Sequence, residues 1–257
     1  MDLIDVLYMS FLFVFGAVIG SFLNVLIYRL PNKMSIIKPG SHCFNCGAPI
    51  KWYDNIPIIS YLILGGKCRN CKKHYSCQYF LIELFTATMY VLSYVKYRNS
   101  LLTIASCLVI SCLIVIFFID LRHFIIPDSM IIGILIVSVA CFFIKDTNII
   151  ASISDRLWSL AVVVGAILLL LLLGKIIKKD LMGFGDFKLF GVIGLLIGFK
   201  LLLLGIFVAA VIAVIVEVII LRKKDKPIPF GPYLAVGFTL MLFFGNNILD
   251  WYSSLFR

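Results

Sequence analysis

Residues 100–119 read SLLTIASCLVISCLIVIFFI, twenty consecutive residues without a charged side chain. As an α-helix this run is about 30 Å long, the hydrocarbon thickness of a bilayer. With 62% apolar and 14% charged residues, the whole chain departs from the composition of soluble proteins. Seven further apolar runs reach or approach the same length, at 7–28, 79–95, 125–144, 157–174, 183–199, 201–221 and 230–248. The sequence predicts an all-α polytopic membrane protein with about eight transmembrane helices.

The net charge of +10 is explained by membrane topology rather than by nucleic-acid binding. If the N-terminus lies outside and the chain crosses eight times, sixteen of the 23 Lys and Arg residues fall in inside loops and six outside, with Lys188 in a helix. This bias is the positive-inside pattern of inner-membrane proteins. We therefore expect an inner-membrane protein in contact with lipid, with its N-terminus outside, and no nucleic-acid partner.

One soluble stretch, residues 30–78, is long enough to fold, and we call it the cysteine loop. It is rich in Gly, Pro, Asn, Lys and Cys and lies on the predicted cytoplasmic side. The predicted organisation is a first transmembrane helix at 1–29, the cysteine loop at 30–78 and a seven-helix membrane domain at 79–257. The first run follows Asp2 and Asp5 and lacks a small-residue cleavage site, so we expect a retained helix rather than a signal peptide.

Four of the eight cysteines form two CxxC pairs in the cysteine loop, Cys43-Phe44-Asn45-Cys46 and Cys68-Arg69-Asn70-Cys71. Stable disulfides are rare in the reducing cytoplasm, and a redox CxxC needs a βαβ context that is missing here. Four thiolates can close a tetrahedral shell around zinc, which predicts a structural Zn²⁺ site that stabilises a small loop. His42, His74 and Cys77 stand nearby as conceivable substitute ligands. The predicted apolar helices hold the remaining cysteines, which we interpret as small hydrophobic residues: Cys107, Cys112 and Cys141.

Acidic side chains inside apolar runs are costly and need a partner or a purpose. Asp120 ends the third run, and Asp186 begins the sixth within Gly183-Phe184-Gly185-Asp186. In the predicted topology both carboxylates lie at similar depth on the cytoplasmic side. Two carboxylates that share a site cannot both ionise cheaply, so one stays protonated. Such a pair can activate water, because the ionised member takes a proton from it and the protonated member donates to the oxyanion.

A simpler interpretation is that each aspartate only snorkels or caps a helix end. The glycines at 183 and 185 favour the catalytic hypothesis, since they allow the backbone to bend and a substrate strand to come close. Asp128 follows Pro127 at a helix start, which favours a capping role. Lys188 either tunes Asp186 or snorkels, and both alternatives stay open. Glu83 and Glu217 either pair with Lys or Arg side chains or line a wet groove, and their roles stay open.

Several motifs have to be considered together. They are residues 16–25 (GAVIGSFLNV) with 29–31 (RLP), residues 39–57 with both CxxC pairs, residues 79–87 around Glu83, Asp120 with 126–128 (IPD), residues 182–189 around GxGD, and 229–232 (PFGP). In combination they resemble the bacterial prepilin peptidases, also called type IV leader peptidases. GxGD alone is less specific, because presenilin-like proteases share it. One departure is Tyr79-Phe80, where the family usually has Tyr-Pro.

The resemblance implies a two-activity enzyme of the bacterial inner membrane. It would cut the leader from pilin-like precursors at the cytoplasmic face and N-methylate the new N-terminus with S-adenosylmethionine. The family's catalytic aspartates fall on Asp120 and Asp186, with Gly183, Gly185 and Lys188 expected to support the site. Gly66 matches a glycine tied to methyl transfer and is the expected cofactor-binding position. The resemblance does not indicate an oligomeric state.

Two other classes of function stay open from the residues alone. A transporter could use Asp120 and Asp186 as a proton relay, although the two halves of the chain show no matched broken helices. A membrane scaffold could recruit cytoplasmic partners through the cysteine loop while the aspartates only cap helices.

Overall fold

The computed structural model describes residues 2–98, 100–141, 151–177, 183–220 and 228–255. These residues are largely helical, which confirms the predicted all-α class. The elements are α1 (Leu3–Arg29), α2 (Ile59–Leu64), α3 (Gln78–Tyr97), α4 (Ser100–His123), α5 (Asp128–Ala140), α6 (Ile153–Ile177), α7 (Phe184–Ile197), α8 (Phe199–Ala213) with a π-helical continuation (Val214–Ile220), and α9 (Gly231–Ser254). A helix is present in each of the eight predicted apolar runs.

Four helical segments in the described ranges are long and apolar enough to cross a membrane: Leu3–Arg29, Ser100–His123, Phe199–Glu217 and Gly231–Ser254. The protein is therefore a multi-pass membrane protein. Helix α5 is apolar but has only 13 residues. Several predicted features lie outside the described residues: the end of the fourth run, Met182 of the GxGD stretch, and the basic positions Lys145, Lys178, Lys179, Arg222, Lys223, Lys224, Lys226 and Arg257.

The first of two compact units covers Met1–Thr103 and contains the cysteine loop. In this unit α1 packs along α3 at very short range. A Cβ on Gly20 would lie 2.7 Å from the Cα of Glu83, and one on Gly16 would lie 2.8 Å from the Cα of Ala87. Small residues one helical turn apart thus let the two backbones meet, a common way of joining membrane helices.

The second unit covers Ile104–Arg257. Here α7 packs against α5, α6, α8 and α9, and α8 packs along α9. Leu189 and Ile193 of α7 are fully buried in a core that also receives Leu113 from α4, Ile134 from α5 and Phe238 from α9. Because α7 is central to this core, the GxGD residues at its start have a rigid support.

Two local features interrupt the regular helices of the second unit. Gly198, with φ of +85°, separates α7 from α8, in agreement with the predicted boundary between the sixth and seventh runs. After Ala213 the chain continues as a π-helix around Glu217. π-Helical segments often occur at functional sites, and this one places a buried carboxylate opposite α9.

Candidate active site and metal centre

Asp120 lies in the last turn of α4 and is buried, with 6% of its surface exposed. Its Oδ2 accepts a hydrogen bond of 2.9 Å from the backbone N–H of Gly231, the first residue of α9. The two residues are 111 positions apart. The carboxylate therefore occupies the N-terminus of α9, where the exposed backbone amides stabilise negative charge.

Asp186 lies in the first turn of α7, after the N-cap residue Gly183, and is half-buried. Its backbone N–H donates to the Gly183 carbonyl at 3.2 Å. The Asp186 carboxylate is close enough to Asp120 for their charges to interact. The structure thus brings together two aspartates that the sequence separates by 66 positions. Two acidic groups whose charges interact favour a singly protonated pair.

Gly185 lies against the residue that precedes the Pro127-Asp128 pair. A Cβ at position 185 would be 3.1 Å from the Cβ of Ile126. A side chain there would push the start of α7 away from residues 126–128 or displace Ile126. Gly183 has more room, since its Cβ would be 3.6 Å from Asp186 Oδ2. The requirement for glycine is therefore stricter at 185.

Lys188 binds Asp128 rather than the aspartate two residues before it. Its Nζ lies 2.7 Å from Asp128 Oδ1, and both side chains are more than half exposed. An exposed ion pair of this kind contributes about 0–1 kcal/mol to stability. Asp128 is in the first turn of α5, as predicted, and its carboxylate links α5 to α7.

The structure gives partners to both glutamates that the sequence left without a role. Glu83 on α3 is buried and accepts a 2.7 Å hydrogen bond from the backbone N–H of Ile58 in the cysteine loop. Glu217 is also buried and accepts a 2.8 Å hydrogen bond from the hydroxyl of Tyr233 on α9. Neither contact could be read from spacing, because the Ile58–Glu83 bond depends on how the loop folds back and the Tyr233–Glu217 bond on helix packing.

The four predicted metal ligands meet in the cysteine loop between α1 and α3. Their Sγ atoms all lie within 4.8 Å of one another, and this group alone among the described residues has metal-site geometry. The Cys43–Cys71 and Cys46–Cys68 sulfur distances are 3.8 and 4.0 Å. A tetrahedral zinc with bonds of about 2.3 Å requires sulfurs about 3.8 Å apart. The donor set therefore fits zinc, and the cluster can bind a metal.

The two CxxC segments are structural repeats of one another. In each, the first cysteine N–H donates to the carbonyl five residues later, and the N–H four residues later donates back to that cysteine. Both fourth-following residues, Gly47 and Lys72, have positive φ. An isolated β-bridge closes each segment, His42 to Pro49 and Lys67 to His74. The shared C-x-N-C pattern was the sequence signal for this repeat, which our sequence analysis missed.

Backbone amides act on the sulfurs in the same repeated way. The amides of Cys46 and Asn45 lower the pKa of the Cys43 thiol, and the Ala48 amide lowers that of Cys46. The Lys73 amide acts likewise on Cys71, but burial and the neighbouring thiols outweigh it and raise the pKa of Cys71 to about 11. Four adjacent thiolates repel one another, so a bound cation is what would keep all four ionised.

Polar contacts outside the cluster hold the cysteine loop in place. Arg69, between the second pair of cysteines, forms a bidentate ion pair with Asp54 and lowers the pKa of that carboxyl. Arg29, buried at the end of α1, donates to the carbonyls of Ser35 and Pro39 at 2.9 and 2.6 Å. Arg29 therefore organises the loop in addition to contributing positive charge.

Gly66 adopts a φ of +66°, and a Cβ there would lie 2.9 Å from the ring of Tyr61. The backbone of Gly66 bonds to both Tyr61 and Tyr75. Glycine at this position thus follows from the backbone conformation and from the aromatic contact. His42 Nδ1 lies 3.0 Å from the Gly40 carbonyl oxygen, which accepts the hydrogen bond, and His42 is not part of the group of four sulfurs.

Two neighbouring aspartates at helix ends, one buried and one half-buried, in a multi-pass membrane protein are the arrangement expected of a membrane-embedded aspartic peptidase. The bacterial peptidase A24 N-terminal domain matches residues 14–97, and the type IV leader peptidase family matches residues 107–218. The chain belongs to the type IV leader peptidase family.

Curated relatives match over nearly the whole chain. The prepilin leader peptidase/N-methyltransferase of Aeromonas salmonicida strain A449 is 32% identical over 96% of this chain and 94% of its own. Proteins of the same name from Pseudomonas aeruginosa and Legionella pneumophila are 31% and 29% identical, over 92% and 93% of this chain and 90% and 92% of theirs. No solved structure matches.

Proposed function

We propose that this protein removes the leader peptide from type IV prepilin-like precursors at the cytoplasmic face and N-methylates the new N-terminus with S-adenosylmethionine. The observation that carries the peptidase is that the Asp120 and Asp186 carboxylates, at the ends of two helices, are near enough for their charges to interact. The relatives' names supply the substrate class and the second activity.

The proposed catalytic residues are Asp120 and Asp186. The ionised carboxylate takes one proton from water, whose oxygen then bonds to the scissile carbonyl carbon. The protonated carboxyl donates its proton to the carbonyl oxygen and stabilises the tetrahedral intermediate. Collapse of the intermediate breaks the C–N bond: the carboxyl that took the proton from water gives it to the leaving amine, and the other carboxylate recovers a proton from a hydroxyl of the intermediate as the C=O bond forms again. Gly183 and Gly185 support this site by leaving the two positions on either side of Phe184, at the start of α7, without side chains.

The proposed supporting role of Lys188 is indirect. Its bond to Asp128 joins α7 to α5 two residues beyond Asp186, through side chains that are both more than half exposed. The ion pair neutralises the carboxylate of Asp128, which follows Asp120 closely in the sequence. We assign Lys188 to holding the start of α7 in register with α5.

The proposed topology has eight transmembrane helices, an outside N-terminus, and the cysteine loop and aspartate pair facing the cytoplasm. Supporting it, Asp120 is near the C-terminal end of α4 and Asp186 is at the N-terminal end of α7. In the proposed topology the eight helices other than α2 alternate in direction, which assigns these ends and Arg29 to the cytoplasmic side. The basic loops fall on that side as well. Within this scheme the chain divides into helix 1–29, loop 30–78 and membrane domain 79–257.

We further propose that Cys43, Cys46, Cys68 and Cys71 hold a structural Zn²⁺. Four thiolates leave no open coordination position, so the metal supplies folding free energy to the loop and takes no part in hydrolysis. For methyl transfer, Gly66 is proposed to shape the site for the methyl donor. Its positive φ and the Tyr61 contact mean that any side chain there would displace the Tyr61 ring.

The test uses purified protein and a prepilin-like precursor in detergent or vesicles, with S-adenosylmethionine present, followed by intact-mass measurement. Wild type is expected to remove the leader and to add one methyl mass to the mature product. Asp186→Asn should do neither, because the methylated terminus is created only by cleavage. Leader removal by Asp186→Asn at the wild-type rate would contradict the proposal. Solute transport without cleavage would instead favour a transporter.

A further inference from the structure

The start of α9 lies directly on the Asp120 carboxyl group. A Cβ at Gly231 would be 2.7 Å from Oδ2, 2.9 Å from Cγ and 3.0 Å from Cβ of Asp120. These distances are too short for any side chain. The N–H of the same residue donates to Oδ2 at 2.9 Å. One backbone position therefore both restricts the carboxyl group sterically and bonds to it.

The hydrogen bonds at the start of α9 explain why this particular amide is directed at Asp120. The first amides of a helix lack intrahelical acceptors. Tyr233 and Leu234 donate to the Phe230 carbonyl, each at 3.1 Å, and Pro232 has no N–H. Phe230 provides no side-chain cap. The Gly231 amide is thus directed outward, and Asp120 accepts it.

We infer that Gly231 is a positioning residue for peptide hydrolysis, fixing which oxygen of Asp120 meets the water. Because Oδ2 accepts the Gly231 N–H, the proton that Asp120 gains from water binds to Oδ1. The bond also prevents rotation of the carboxyl group about its Cβ–Cγ bond. This inference rests on the proposed peptidase function and adds a residue from the PFGP segment to the site.

The Tyr233–Glu217 bond supports this arrangement from the same first turn of α9. Tyr233 is two residues beyond Gly231, and its hydroxyl is tied to the buried Glu217 on the π-helical segment. The bond fixes the start of α9 against the end of α8. A rigid α9 terminus keeps the Gly231 amide on Oδ2.

Gly245 provides a matched control on the same helix. A Cβ at Gly245 would also lie 2.7 Å from a side-chain atom, Cδ2 of Leu201, but it does not touch the aspartate pair. Gly231→Ala is expected to lower kcat about 30-fold or more, from the loss of a hydrogen bond to a charged group, with KM within about twofold. Gly245→Ala should keep the wild-type kcat while lowering the melting temperature by about as much as Gly231→Ala does.

Two outcomes would overturn the inference. One is a kcat for Gly231→Ala equal to that of Gly245→Ala. The other needs no substitution at 231: in protein labelled with ¹⁵N-glycine, Asp120→Ala should speed exchange of the Gly231 amide at least tenfold, and Asp186→Ala should not. An unchanged exchange rate of the Gly231 amide in Asp120→Ala would show that the Gly231–Asp120 hydrogen bond, on which the inference rests, does not form. If wild type cuts no precursor, the proposed function fails, whereas the exchange result still tests the contact.

Discussion

Glu83 is predicted to hold the cysteine loop to the membrane helices, and its replacement should loosen the loop at a defined amide. Glu83 is 8% exposed and accepts the Ile58 N–H at 2.7 Å. Ile58 has φ of +65°, so the turn depends on a bond that offsets its backbone strain. Glu83→Ala removes the acceptor and leaves the Ile58 N–H without its hydrogen-bond partner. The expected cost is about 2 kcal/mol, typical of a hydrogen bond to a carboxylate.

The assay is hydrogen exchange on a peptide that covers residues 56–60. A loss of about 2 kcal/mol of local stability corresponds to roughly 30-fold faster exchange of the Ile58 amide. Glu83→Gln keeps an acceptor oxygen and should show a smaller effect. Thr88→Ala is the control, because Thr88 is exposed on the same helix and bonds only within it, to the Leu84 carbonyl. Equal Ile58 exchange in Glu83→Ala and Thr88→Ala would refute the reasoning.

Three further predictions concern the metal site and the packing of α9. Cys46→Ser should lower the zinc content, measured by mass spectrometry of the native protein, and should expose residues 30–78 to proteolysis. The control Cys77→Ser should do neither, and a normal zinc content in Cys46→Ser would contradict the four-cysteine site. Lys72→Gly should stabilise the cysteine loop by about 1 kcal/mol in thermal unfolding, because Lys72 has a φ of +59°, which favours glycine. An unchanged unfolding free energy would mean that the left-handed conformation of Lys72 has no energetic cost. Tyr233→Phe should lower kcat several-fold, because it removes the 2.8 Å hydrogen bond to Glu217. The control Tyr94→Phe loses a hydrogen bond of the same length to Asp5 and should keep the wild-type kcat. An equal fall in kcat for the two variants would show that only a general loss of stability is involved.

The helices of this protein could be predicted because their apolar runs are long. The predicted run 100–119 falls within α4, the predicted run 230–248 begins one residue before α9, and the break near Gly198 was also predicted. The short helix α2 within the cysteine loop was missed, since Ile59–Leu64 is too brief for its periodicity to stand out. The π-helix was missed for the same reason, because seven residues do not distinguish its turn from that of an α-helix.

The candidate site was predictable in its residues but not in its contacts. Spacing singles out the four cysteines as metal ligands, and the cost of a buried charge marks Asp120 and Asp186 as candidates, but their catalytic assignment came from the family resemblance. The bond from Gly231 to Asp120 joins residues 111 positions apart, and only tertiary packing creates it. The two alternatives left open for Lys188 did not include Asp128, which binds it across two helices. The Ile58–Glu83 bond likewise depends on the folded loop rather than on sequence spacing.

The most direct test of the account compares three Asp→Asn variants in one cleavage assay with a prepilin-like precursor. Asp120→Asn and Asp186→Asn each remove one member of the pair and should lower the cleavage rate by at least about 1,000-fold, while the protein stays folded and zinc-bound. Asp128→Asn removes an exposed carboxylate that pairs with Lys188, and it should retain most of the wild-type rate. Cleavage near the wild-type rate by either Asp120→Asn or Asp186→Asn would contradict the central claim.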